Sequence, residues 1–217
     1  GPLAMGMCSV VLGLVLGSVQ PMVLVLLHRI TPEDRQGEAM ALRVMTINIW
    51  YGGDQVAFGQ VARAIRAAHP DVVGIQEADG NLRRIANAVG FPYVDERRYL
   101  ISRFPLFDSG IGVKTGRERV PFSINGQDPQ HLHAWVLVGP RQAVAMANTH
   151  LTSDPYGPEA VRDGTTPAKL LTLENETRVP EVRPFAAALG PLARRNVPVF
   201  FTGDFNSPSH LDWTPAA

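Results

Sequence analysis

Phe200-Phe201-Thr202-Gly203-Asp204-Phe205-Asn206-Ser207-Pro208-Ser209-His210-Leu211-Asp212-Trp213 is the stretch whose reading decides the fold. The apolar run from Val199 to Phe201 stops at a glycine, an acid and an amide, and Ser-Pro follows. A buried strand that delivers polar side chains to its mouth has this form. Chemistry is therefore expected near Asp204 and Asn206.

The same form recurs upstream. Leu42 to Ile49 alternates as a strand and places Thr46 and Asn48 on one face. Asp71 to Glu77 is an apolar run that turns polar only at its C-terminal end, where Glu77 stands. Ala143 to Thr149 reads as a strand closing in Asn148-Thr149-His150. Between the first two strands, Trp50 to Asp54 reads as a turn. Asp54 is placed to cap a helix with Val61, Ile65 and Ala68 on one stripe, stopped by His69-Pro70. A second helix starts at about Asn81, buries Leu82, Ile85 and Val89, and ends at Gly90. Short strands are expected over Arg98 to Ile101, Phe107 to Lys114 and Leu132 to Val138, separated by Pro- and Gly-bearing turns. Tyr156 to Gly164 reads as an irregular loop. Leu170 to Arg195 reads as mostly helical, with Pro180 and Pro184 kinking or starting helices.

The chain has 217 residues with 45% hydrophobic and 18% charged, enough for one well-packed domain. Its 20 basic and 20 acidic residues cancel, so no broad field attracts a polyanion such as duplex DNA. Arg97-Arg98 and Arg194-Arg195 are isolated pairs, the form of solvated surface. The single cysteine, Cys8, excludes an internal disulfide and any Cys-rich zinc site.

Three segments divide the chain. Residues 1–6 read as a cloning remnant. Residues 7–41 hold an apolar stretch, Met7 to Leu27, that carries no charge and is broken near its middle by Gly13, Gly17, Gln20 and Pro21. It is read either as a signal or membrane segment, giving a secreted or membrane-associated protein, or as two packed strands, Ser9 to Leu16 and Met22 to Leu27. Arg29 to Glu38 reads as a surface connection. Residues 42–217 form the main domain.

Singly, Asn48, Glu77, His150, Asp204 and Asn206 are the residues that make turns, cap helices or face water. Together they suit metal-assisted hydrolysis of a phosphoester. Glu77 and Asn48 offer the oxygen ligands that Mg2+ requires, an Asp opposite can orient a water, and an Asn and a His can donate to phosphate oxygens.

In Thr46-Ile47-Asn48, Ile75-Gln76-Glu77, Ile101-Ser102-Arg103-Phe104-Pro105-Leu106, Asn148-Thr149-His150-Leu151 and Gly203-Asp204-Phe205-Asn206 the chain resembles the endonuclease/exonuclease/phosphatase superfamily. Its members include DNase I-like nucleases, neutral sphingomyelinases and inositol polyphosphate phosphatases. The segments follow the family's order and cover most of the chain from Leu42 on. The resemblance implies an α/β fold, a four-layered α/β sandwich of two packed sheets flanked by helices, with a metal site at one edge. It implies Glu77 as principal ligand for Mg2+ (or Mn2+/Ca2+) with Asn48 beside it. It further implies His150 at the scissile phosphate, Asp204 orienting the attacking water and Asn206 supporting the transition state.

Family members continue past Gly-Asp-x-Asn to a terminal Ser-Asp-His motif. None of the six histidines sits in such a motif and the sequence stops at Ala217. The expectation is a fold incomplete at the C-terminus, with its closing strands in a missing piece or a second chain; Met22 to Leu27 is a candidate to fill the gap in the second sheet. The loop around Tyr156 to Gly164 and the run from Ser209 to Trp213 resemble a bacterial, often exported subgroup. A small or lipid-linked phosphoester is the expected substrate, with nucleic acid and a nuclease activity second, and a catalytically inactive binding or scaffold module as the reading from another class. Contact with a membrane is expected through residues 7–27.

Overall fold

The computed structural model describes residues 8–11, 24–29, 41–108, 132–139 and 142–207, the first two stretches by their backbone alone. Residues 12–16, 22–23, 30–38, 109–114 and 208–217, on which parts of the sequence reading fall, lie outside the described set.

The alternating run at Leu42 becomes strand β3 (Ala41–Asn48), and the apolar run that follows becomes β4 (Val72–Gln76), parallel to it. Helix α1 (Phe58–Ala68) makes the crossover. It ends at His69, whose φ of 49° is left-handed, and whose N–H closes on Arg66. Asp54 does not cap α1: the N-cap is Ala57, and Asp54 instead closes a tight turn over Tyr51–Gly53. The turn needs more chain than the sequence reading allowed, so the helix starts later. Helix α2 (Leu82–Val89) ends at Gly90 with φ 76°, a conformation that glycine adopts without a side-chain clash. Strands β5 (Tyr93–Asp95) and β6 (Leu100–Ser102) complete one edge. The other edge is built by β1 (Cys8–Val11) and β2 (Leu24–Arg29), with β2 antiparallel to β3 and β1 antiparallel to β2. The first sheet thus runs β1-β2-β3-β4-β6-β5. The N-terminal strand expected in the second sheet therefore pairs in the first, beside β3.

The second sheet runs β10-β9-β8-β7. It comprises β7 (Leu106–Asp108), β8 (Ala134–Gly139), β9 (Gln142–His150) and β10 (Val199–Asp204), with β9 and β10 parallel. Their crossover carries α3 (Gly157–Arg162), α4 (Pro167–Glu176) and α5 (Arg178–Arg194). Helix α3 replaces the irregular loop expected over Tyr156 to Gly164. Pro158 there is not punctuation but lies in the first helical turn, where its fixed φ is suitable and no N–H is missed. Pro180 likewise falls in the first turn of α5, whereas Pro184 and Pro191 lie inside it.

Apolar layers order these parts. Met45, Ile47, Ile75 and Ile101 of the first sheet pack on Val61, Ile65, Leu82 and Ile85 of α1 and α2. Each fully buried Ile there is worth about 1.5–3 kcal/mol relative to exposure. The opposite face of that sheet, through Leu42, Val44, Val72 and Leu100, meets Ala134, Val136, Val144, Met146 and Phe200 of the second. The far face of the second sheet, through Ala145 and Ala147, packs on Phe185 and Leu189 of α5. The molecule is an α/β protein of two packed mixed sheets with helices outside them. Among the described residues no helix is long and apolar enough to cross a membrane.

Candidate active site at the ends of the parallel strands

Strand alternation decides what enters the seam between the sheets. On β3 the inward series is Leu42, Val44, Thr46, Asn48; on β4 it is Val72, Gly74, Gln76. On β9 it is Val144, Met146, Asn148, His150, and on β10 it is Phe200, Thr202, Asp204. Each series is apolar first and polar last. Parallel pairing, with Asn48 opposite Gln76 and Asp204 opposite His150, brings the polar ends out at one edge.

Four of the residues predicted from sequence meet there. Asn48 Nδ2 donates to Glu77 Oε1 at 2.8 Å and to Asp204 Oδ2 at 3.0 Å. His150 Nε2 stands 3.9 Å from the same Glu77 oxygen and 3.8 Å from the same Asp204 oxygen. The side chains of His150, Glu77 and Asp204 are 32%, 25% and 31% exposed, so the cluster is open to a ligand without being fully solvated. Asn206 stands beside it with its amide already engaged. Its Nδ2 donates to Leu151 O at 2.8 Å and its backbone N–H to Asp204 Oδ1 at 3.1 Å. It ties the end of β10 to the chain leaving β9 and is not directed at the cluster.

The backbone around Glu77 is strained in a consistent way. Glu77 itself has φ 55°, and Trp50, Tyr51, Gly52 and Gly53 have φ 54°, 49°, 70° and 83°. Bulky residues avoid the left-handed region, and such residues persist where the surroundings over-determine them. Here the turn wraps the acid: Tyr51 N donates to Glu77 Oε2 at 3.1 Å and Gly52 N to Glu77 O at 2.7 Å. Trp50 N donates to Asn48 Oδ1 at 2.9 Å. Gly203 is required for another reason, since a Cβ there would lie 2.3 Å from Thr149 O.

A buried layer that the sequence reading assigned no role lies directly beneath. Gln76 Nε2 donates to Thr46 Oγ1 at 3.0 Å and to Asn148 Oδ1 at 2.5 Å. Asn148 Nδ2 donates back to Ile75 O at 3.3 Å and Arg98 O at 3.2 Å. The polar inward parity was a signal in the sequence; the partners were not. A second missed group holds the loop after His150. Thr152 donates from N and Oγ1 to the Glu181 carboxylate at 2.8 and 2.5 Å, while Arg178 donates to Thr152 O and Pro155 O, both at 2.9 Å. Arg178 is buried, and its bonds to the Glu174 carboxylate hold the guanidinium charged, above its ordinary pKa.

Comparison with known proteins bears on these arrangements. The model of the Endonuclease/Exonuclease/phosphatase family matches residues 45–217. The chain belongs to that family. The match contains Asn48, Glu77, His150, Asp204 and Asn206. A relative is uncharacterized protein F14F9.5 of Caenorhabditis elegans, 32% identical over 198 residues, which are 80% of this chain and 56% of the relative. The chain thus spans about half the length of that relative. No solved structure matches. The family is generally one of metal-dependent phosphoesterases.

The residues present fit a hard cation. Two carboxylates with an amide between them are the oxygen chemistry of Mg2+, which keeps most of its water and takes one or two carboxylates. In the present arrangement the Asn48 amide N–H2 lies between the two acids, acting as their positive partner. Ligation through Asn48 Oδ1 needs the amide to turn and release Trp50 N. Among the described residues no group of three or more His, Cys, Asp or Glu side chains has the arrangement of a metal site.

Proposed function

We propose that this member of the Endonuclease/Exonuclease/phosphatase family is a divalent-metal-dependent phosphoester hydrolase. The observation that carries the reading is the convergence of Asn48, Glu77, His150 and Asp204 from two sheets onto one open edge, within hydrogen-bonding or ion-pairing reach. Glu77 and Asn48 would hold the cation. When bound, it neutralises charge on the phosphoryl oxygens and makes a bound water more acidic. Asp204 accepts a hydrogen bond from the attacking water and sets its direction. The oxygen of that water bonds to phosphorus as the ester P–O bond breaks, the water's proton passing to the Asp204 carboxylate and the leaving alkoxide taking a proton from solvent. His150 donates from Nε2 to a phosphate oxygen, in line with its position between the two acids. Asn206 acts by holding the Asp204 strand end against the loop after His150.

The substrate class is a small or lipid-linked phosphoester. The absence of net charge supports this, because a polyanion would gain little from the whole-chain field. So do the exposed rings of Trp50 and Tyr51, which are carried on the turn that wraps Glu77. Aromatic rings with one apolar and one polar side suit an amphipathic substrate.

The test is hydrolysis of bis-p-nitrophenyl phosphate with Mg2+, Mn2+ or Ca2+, with a chain extended past Ala217 assayed in parallel. Metal-dependent turnover that Glu77→Ala removes is the expected result. A protein inert with every divalent ion, and unchanged by Glu77→Ala, ends the reading. DNA binding titrated against salt separates substrate classes: a steep salt slope points to a nuclease.

A further inference from the structure

We propose that Asn148 is the positioning residue that sets the separation of the two halves of the site, an inference that rests on the phosphoesterase reading above. The halves belong to different sheets: Asn48 and Glu77 come with β3 and β4, His150 and Asp204 with β9 and β10. Among the described residues no covalent link near the site joins them. Apolar packing in the seam is non-directional, so it holds the sheets together without selecting one alignment to a fraction of an ångström. Hydrogen bonds are directional and select one.

Asn148 is the buried side chain that makes such bonds across the seam, beneath the Asn48–Asp204 bond of the rim. It starts on β9 and is 1% exposed. Its Oδ1 accepts from Gln76 of β4 at 2.5 Å, and its Nδ2 donates to the carbonyls of Ile75 and Arg98 at 3.3 and 3.2 Å. Both ends of one short, stiff amide are therefore tied to the first sheet. That sheet is shaped to receive it: Gly74 leaves a notch in which a Cβ would lie 2.3 Å from Asn148 Oδ1. Thr202 Oγ1 of β10 comes within 3.5 Å of the same oxygen, and Gln76 also holds Thr46 of β3. Each member of this layer immediately precedes a site residue along its strand or on the same strand face. Thr46 stands before Asn48, Gln76 before Glu77, Asn148 before His150 and Thr202 before Asp204. A shift of one sheet against the other would strain the bonds to Asn148 together with the Asn48–Asp204 bond at the rim.

A displacement of about 1 Å in a reacting group costs on the order of 10²-fold in rate. Asn148→Ala is expected to lower kcat on bis-p-nitrophenyl phosphate by about that factor while KM stays within about threefold. Gln76→Met keeps the apolar volume, removes one bond to Asn148 and the bond to Thr46, and is the gentler second variant. Because both remove the Gln76–Asn148 bond, the double variant is expected to lose less than the two single losses combined. A readout independent of activity is amide hydrogen exchange. In Asn148→Ala it should quicken by about tenfold or more at residues 48–53 and 150–152 and stay unchanged at 42–45 and 144–146. Uniform quickening along both strands, no quickening, or additive losses in the double variant would overturn the proposal. Localised quickening in a protein whose wild type hydrolyses nothing would instead overturn the phosphoesterase reading and leave the cross-sheet role standing.

Discussion

The two ends of the seam between β3, β4, β9 and β10 are made of the same strands and differ in almost every physical respect. At the entry end, Leu42, Val44, Val72, Val144, Met146 and Phe200 form an apolar layer. At the exit end the same four strands present Thr46, Gln76, Asn148 and Thr202, and then Asn48, Glu77, His150 and Asp204 at the rim. The apolar end contributes stability without direction. The polar end gains little net stability, because its hydrogen bonds replace bonds to water, yet it specifies one alignment. A site divided between two sheets needs both.

Substitutions at the rim should have the largest effect on activity and a small one on stability. Glu77→Ala or Asp204→Ala is expected to cost on the order of 10³-fold in kcat/KM, with an unfolding midpoint close to that of the wild type. Equal losses of activity and stability would mean that the rim is structural. The apolar end should behave in the opposite sense. Met146 is fully buried, and Met146→Ala is expected to cost about 2–5 kcal/mol in a urea titration. Remaining folded protein should keep its kcat.

Gly74→Ala probes the junction of the two ends. The added Cβ meets Asn148 Oδ1 and Thr202 Oγ1, so about 1–3 kcal/mol of overpacking is expected, together with a fall in kcat that Met146→Ala does not show. His133 gives a pH-dependent measure of the surroundings of the second sheet. Its ring packs edge-on against Trp135 and its Nε2 is buried without a hydrogen-bond partner among the described residues. Burial, then the nearby Arg98 charge, lowers its pKa to about 4, partly opposed by Asp108. The folded protein binds this proton less readily than the unfolded chain. Stability should therefore decline as pH falls from about 6.5 and level off below about 4, a slope that His133→Gln removes. The smallest effect is expected at the surface: Arg83 and Glu96 pair at 3.0 Å while largely exposed, and Arg83→Ala should change stability by no more than about 1 kcal/mol.

Much of this is legible in the sequence. The strand–helix–strand opening, the stop at Gly90, the apolar faces of α1 and α2 and the polar residues at four strand ends follow from period, glycine placement and strand parity. What was misread has local causes. Tyr156 to Gly164 reads as a loop although Pro158 sits in a first helical turn, because proline serves both turns and helix starts. Asp54 looked like a helix cap because the left-handed turn from Trp50 to Gly53 leaves no signature beyond its glycines. The clamp of Arg178 and Glu181 on Thr152 joins residues far apart in sequence, and an Arg or Glu in a helix ordinarily faces water.

By itself the sequence determined which residues could face the seam and which end of each strand would be polar. Both depend only on alternation along one strand. The tertiary structure decided that Asn48 bridges Glu77 and Asp204, that Asn206 is spent on Leu151, and that Asn148 reaches into the notch at Gly74. Those outcomes depend on how two sheets are aligned. That alignment is a balance of many packing and hydrogen-bonding contacts between distant segments, and no single segment contains it. The stretch from Phe200 to Asn206 supplied Asp204 to the site, and the opposite sheet decided what Asp204 would face.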